Sequence, residues 1–221
     1  MSFFAQLNRD TELARSQLLK APLIAGALAG DISHQEYLAF LGQAYHHVKH
    51  TVPLLMAVGA RLGEDKEWLR EAIVHYIEEE VGHQEWVLND IVACGGNRDE
   101  TRCARPNAST ELMVAYAYDM VYRVNPLGFF GMVHVLEGTS VAVAEQAANR
   151  IRDTLGLPQQ AFSYLYSHGT LDKEHVGFFA DLMNRIEAPA EQALITHAAN
   201  SFYRLYGDIF RELRPAARGH S

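Results

Sequence analysis

Late in the chain, two imidazoles and a carboxylate stand at helical spacing, as His168-x-x-x-Asp172-x-x-His175. Offsets of four and seven residues return to nearly the same face of a continuous α-helix, so the three side chains project in one direction. Imidazole nitrogen and carboxylate oxygen together suit non-haem iron. A plainer explanation stands beside this one: Asp172 caps a helix after Gly169, and the histidines are packed or exposed. Glu80-x-x-His83, inside YIEEEVGHQEW, is a second candidate pair. A spacing of three puts carboxylate and imidazole on one helical face, the pairing used by helical di-iron carboxylate proteins. Glu79 is nearly as well placed; Glu80 is the preferred choice of the two. The bland alternative is a solvated acidic run beside a surface histidine.

Glu137 lies in GFFGMVHVLEGTS, where every immediate neighbour except His134 is apolar or small. A carboxylate in such a stretch needs a cation, a hydrogen-bonding network or a metal, because its desolvation is costly. Gly128, Gly131 and Gly138 each weaken a helix by about 1 kcal/mol relative to Ala. Close approach of another helix or of a ligand explains them better than helix formation does. Glu80, His83, Glu137, His168, Asp172 and His175 thus supply three carboxylates and three imidazoles from three helices. Hard oxygen donors mixed with imidazole match iron or manganese better than structural zinc, which usually recruits thiolates. Cys94 and Cys103 lie outside all three segments.

Apolar residues recur at helical spacing along nearly the whole chain, and no segment shows sustained alternation, so the sequence predicts an all-α domain over residues 1–221. A first helix is expected over about residues 3–20 and a short one from Pro22 to near Gly30. Ser33 and Glu36 form a capping box for the next, which runs to about Leu62 with a bend at Pro53. A further helix is expected over about residues 65–93, stopped by Gly95-Gly96, with an irregular loop through Asn107. Helices resume near Thr110 and at Pro126, and the second of these ends at Gly156. Helical stretches over about 158–167 and 171–186, broken at Gly169, precede a last helix after Pro189.

The bulk properties are those of a soluble globular chain: 221 residues, 48% hydrophobic and 21% charged. A formal net charge of -8 argues against general nucleic-acid affinity. No apolar run of membrane-spanning length stands out, and no secretory signal is recognisable, so a cytoplasmic protein with reduced thiols at Cys94 and Cys103 is expected. A homodimer is the default expectation for assembly.

With these residues in view, the chain resembles the haem-oxygenase-like di-iron oxidases, a superfamily that shares its helical bundle with the TenA thiaminases and the PqqC pyrroloquinoline quinone synthases. The segment LIAGALAGDISHQEYLAFLGQAYHHV is similar to the Gly-x-[Leu/Ile]-[Ser/Thr]-x-x-x-Tyr stretch of that fold. Glu80 and His83, Glu137-Gly138, and His168, Asp172 and His175 resemble its metal motifs. The Glu-x-x-His form looks most like the branch that includes the alkene-forming fatty-acid decarboxylase. Other members place the first carboxylate seven residues before the histidine, where this chain has Tyr76.

The resemblance implies two Fe(II) per chain, the second weakly held, which use O2 to oxidise a small amino-acid-like or fatty-acid-like substrate. Its relatives differ in what they require. Haem oxygenase needs a proximal histidine close to the position of Arg15, and the first helix here has none. TenA-type chemistry relies on a middle-helix cysteine, and no cysteine follows Cys103. Metal-free PqqC-like chemistry leaves the six-residue constellation unexplained.

Pocket candidates are Tyr116, Tyr118, Phe129, Phe130, Phe162, Tyr166, Phe178 and Phe179, most of which would serve equally as plain core. His46, His47 and His50 are candidates for an added ligand or relay, with packing as the alternative. His134, one turn before Glu137, is a candidate partner for it. Two competing classes are a ferritin-like di-iron bundle, which leaves His168 without a role, and a small-molecule-binding or regulatory domain, or metal-free TenA/PqqC-like enzyme, on the same fold.

Overall fold

A computed structural model describes the backbone of residues 2–215 and the side chains of residues 2–167 and 176–215. Its helices are α1 (Phe3–Asp10), α2 (Glu12–Leu19), α3 (Pro22–Ala29), α4 (His34–Val48), α5 (Thr51–Arg61) and α6 (Glu67–Glu80). They are followed by α7 (His83–Ala93), α8 (Arg98–Cys103), α9 (Ala108–Asp119), α10 (Phe129–Leu155), α11 (Ser163–Asn184) and α12 (Pro189–Leu213). No strand occurs among the described residues, as the unbroken helical periodicity predicts.

The centre of the bundle is α10, whose 27 residues pack against α11, α12 and α3. The stretch Pro126–Leu155 is long and apolar enough to cross a membrane, which corrects the expectation that no such run exists. Its most apolar window is 61% buried against other helices, the environment that an all-round apolar helix takes in a bundle. Gly131 lets α12 approach: a Cβ there would sit 2.6 Å from the Ala199 backbone nitrogen. Around the core, α4 packs on α7, α5 on α6, and α12 on α2 and α9.

Local chemistry sets the helix ends. The Ser33 hydroxyl accepts from the Glu36 amide at 3.2 Å, and the Ser33 amide donates to the Glu36 carboxylate at 2.8 Å, closing the expected capping box. Arg214, just after α12, donates to the same carboxylate at 2.7 Å and holds its pKa down to about 2. Gly156 adopts the left-handed cap at φ 63°.

Several expected helices are divided differently. The first breaks at Thr11, whose hydroxyl donates to the Leu7 carbonyl at 2.7 Å. The break in the 33–62 stretch falls at Lys49–His50 rather than at Pro53. Proline then occupies the first turn of α5, where it has no helical N–H bond to lose. The expected break at Gly169 is not present, since α11 is continuous. The loop before Asn107 contains α8, started by the Asn97 side chain, which accepts from the Asp99 and Glu100 amides.

Candidate metal centre

The expected single helix over 65–93 is two, and the division falls inside the candidate pair. α6 ends at Glu80 and α7 begins at His83; between them Val81 is extended and Gly82 turns left-handed at φ 95°. Glu80 and His83 therefore meet across a helix junction and not on one helical face, because Gly82 adopts a conformation that side chains with Cβ rarely take. The pair still closes, with Glu80 Oε2 3.0 Å from His83 Nδ1. His83 is buried, and its ring stacks on Trp86 with centroids 3.9 Å apart, which fixes the plane of the imidazole. Glu79, the other candidate, is paired with His75 at 3.4 Å one turn back.

Glu80 and Glu137 line one cavity, together with Tyr76, His47, Met132 and Leu136. Carboxylates from α6 and α10 thus face a common space with mostly apolar walls. Among the described residues, no three His, Cys, Asp or Glu side chains converge closely enough to hold a metal by themselves. The other three expected ligands, His168, Asp172 and His175, lie outside the described side chains. Their helix, α11, packs against both α10 and α7, the helices that carry Glu137 and His83. Carboxylates on two walls with an imidazole beside one of them are donor types that suit iron, and the sequence puts two more imidazoles and a carboxylate on the adjoining helix.

Glu137 also borders a second cavity, shared with Arg15, Asn8, His134 and Gly138. Among the described atoms, a Cβ at Gly138 would have the Tyr203 hydroxyl within reach, at 3.9 Å, an ordinary contact, whereas Gly131 abuts the backbone of α12. His134, expected beside Glu137, has its Nε2 3.2 Å from the Thr11 hydroxyl and its ring stacked on Phe179. Burial lowers its pKa to about 4, so it is neutral near pH 7. Arg15 is paired with Glu12 at 2.5 Å.

One buried acid escaped sequence reasoning. Asp90 on α7 is fully buried and accepts from the Ser163 amide at 3.0 Å, the Tyr164 amide at 2.9 Å and the Ser163 hydroxyl. Burial raises its pKa, against the pull of those donors. It caps the start of α11 and so fixes that helix to α7. Its sequence context, LNDIVAC, reads as one polar position on an amphipathic helix.

Of the aromatic candidates, Phe129 lines the Glu80–Glu137 cavity and Phe179 the second one. Tyr116 packs on Phe202, and Tyr118 binds His50 at 3.0 Å. Tyr76, Tyr164 and Tyr206 line the first cavity instead. His47 lines it too, whereas burial holds His46 neutral beside Lys49. Cys94 and Cys103 are both free thiols.

Residues 38–207 match the family described as iron-containing redox enzymes, and the chain belongs to that family. Solved structures share its fold at low identity. A domain of unknown function with a heme oxygenase-like fold from Shewanella denitrificans is 20% identical, with a TM-score of 0.86 over 96% of this chain and 92% of that one. A TenA homologue from Pseudomonas syringae pv. tomato is 12% identical, with a TM-score of 0.79 over 95% and 91%. Heme oxygenase-1 from the cyanobacterium Synechocystis, in complex with heme, is 13% identical, with a TM-score of 0.77 over 97% and 93%. No curated protein matches by sequence. The fold is therefore haem-oxygenase-like, and the activity is, at the level the family defines, that of an iron-containing redox enzyme.

Proposed function

We propose that this chain is a non-haem oxidase or oxygenase that binds two irons and uses O2 to oxidise a small substrate, with Glu80, His83, Glu137, His168, Asp172 and His175 as ligands. The observation that carries it is the facing of Glu80 and Glu137 across one cavity, with His83 3.0 Å from Glu80. The approach of α11 to both α10 and α7 supports it further. Iron would supply the redox chemistry with O2. The protein's own part is to hold the donors and to exclude water, through apolar walls such as Leu55, Phe129 and Leu136. A non-haem site agrees with the sequence of α1, α2 and α3, which contains no histidine to ligate a haem.

The test is anaerobic loading with Fe(II), followed by metal analysis and measurement of O2 consumption. Two irons per chain and O2 uptake are expected. A chain that retains no iron, or that is isolated with stoichiometric haem, overturns the proposal.

A further inference from the structure

The chain has two tryptophans, Trp68 and Trp86, both partly buried, and their ring faces meet different surroundings. Trp86, three residues along α7 from His83, stacks on that imidazole with centroids 3.9 Å apart and 29° between the planes. His83 in turn meets Glu80 at 3.0 Å, beside the cavity that Glu80 shares with Glu137. Trp68 instead carries the Arg185 guanidinium over its face, 4.0 Å from the ring centroid.

Indole is among the side chains that lose a single electron most readily, and three features separate these rings as donors. Stacked π faces overlap, so an electron can pass from Trp86 to the His83 ring without crossing saturated atoms. A cation over a ring is attracted by the ring's electrons and opposes their removal, which disfavours Trp68. Partial exposure lets the Nε1 proton of Trp86 pass to water. Tyr76, Tyr164 and Tyr206 line the cavity but are buried, so a radical formed on them would lie out of reach of a donor in solution.

We infer that Trp86 is the one-electron relay between the iron site and a soluble reductant. This rests on the function proposed above, with His83 as a ligand. Trp86 gives one electron, through the His83 ring, to iron that O2 has oxidised, and its Nε1 proton passes to water. A one-electron donor of the ascorbate class then returns an electron, and a proton from water restores the indole. In each cycle the donor loses one electron, the iron gains one and Trp86 is unchanged. A stack that served only to hold the imidazole plane would work as well with a ring that resists oxidation, such as phenylalanine.

The test loads the full-length chain anaerobically with Fe(II), measures retained iron, and adds O2 without substrate, in the presence and absence of ascorbate. Peptide mass spectrometry should find oxidised indole at Trp86 and not at Trp68, and ascorbate should remove it. Freeze-quench electron paramagnetic resonance should show a tryptophan radical, which Trp86→Phe abolishes and Trp86→Tyr replaces with a tyrosyl signal. Both variants keep a flat ring against His83 and should retain iron; if the phenylalanine variant does not, the Trp86→Tyr spectrum and the comparison of the two indoles decide. Equal oxidation of both indoles, or a radical that persists in iron-loaded Trp86→Phe, overturns the inference. The outcomes separate the two proposals: iron and O2 uptake with neither radical nor product at Trp86 removes the relay alone, while a chain that takes up no iron overturns both.

Discussion

Asp90 and Glu137 are carboxylates on neighbouring layers of one bundle, and their surroundings differ in kind. Asp90 is enclosed by the chain's own donors, two amides and a hydroxyl at the start of α11. Glu137 borders two cavities, and Glu80 faces it across one of them. A buried acid wrapped in backbone N–H groups builds the fold, because those donors would otherwise go unsatisfied. Acids that border a cavity can be reached by an incoming group. The contrast separates architecture from chemistry among residues of the same type.

The largest expected effect comes from the acids that face space. Glu80→Gln and Glu137→Gln keep shape and remove charge, so each should lower retained iron by roughly tenfold or more. Urea unfolding of the metal-free protein should change by less than about 1 kcal/mol. Asp90→Ala should do the reverse: it strands two amides and should cost about 3 kcal/mol in the same unfolding experiment. If Glu137→Gln destabilises the metal-free chain as much as Asp90→Ala does, the contrast breaks and Glu137 becomes a structural acid.

Acid sensitivity sharpens the same distinction on the other side of α10. Burial holds His134 at a pKa of about 4 in the folded protein, against an ordinary value of 6.5. Below pH 6.5 the unfolded chain takes up a proton that the folded one refuses, so stability is full above that pH and is lost as pH falls toward 4. The loss from this one group is about 3 kcal/mol at most. His46, also held near 4 by burial, adds to the slope. His134→Gln, which can keep a bond to Thr11, should flatten the pH dependence of the urea midpoint between pH 6.5 and 4. An unchanged slope would show that His134 is protonated in the fold.

The fold was legible because apolar spacing and end signals act locally: Ser33 with Glu36, Pro126, Gly156 and Pro189 each fix a helix end with atoms a few residues away. The breaks were less legible where two outcomes are close in energy. Gly82 can continue a helix at modest cost or turn left-handed, and only the packing of α6 on α5 and of α7 on α4 chooses. Glu80 and His83 were found through a helical spacing that the chain does not use between them, since the break preserves the proximity by another route. Asp90 was not found, because its partners lie more than seventy residues away at Ser163 and Tyr164.

The smallest expected effects come from two glycines on α10, and they carry the contrast down to single methyl groups. At Gly131 a Cβ would lie 2.6 Å from the Ala199 nitrogen and 2.8 Å from the Ala198 Cβ, so α12 must retreat. Gly131→Ala should therefore cost about 1–3 kcal/mol, as overpacking does. At Gly138 the nearest described atom is the Tyr203 hydroxyl at 3.9 Å, an ordinary contact. Gly138→Ala should stabilise the metal-free chain by up to about 1 kcal/mol, since alanine is the better helix former and no described atom resists it. The two variants differ by one methyl on one helix, and unfolding midpoints measured side by side should move in opposite directions. Were Gly138→Ala to destabilise as Gly131→Ala does, α10 would be closely packed at Glu137 as well, and the open space on which the site depends would not exist in solution.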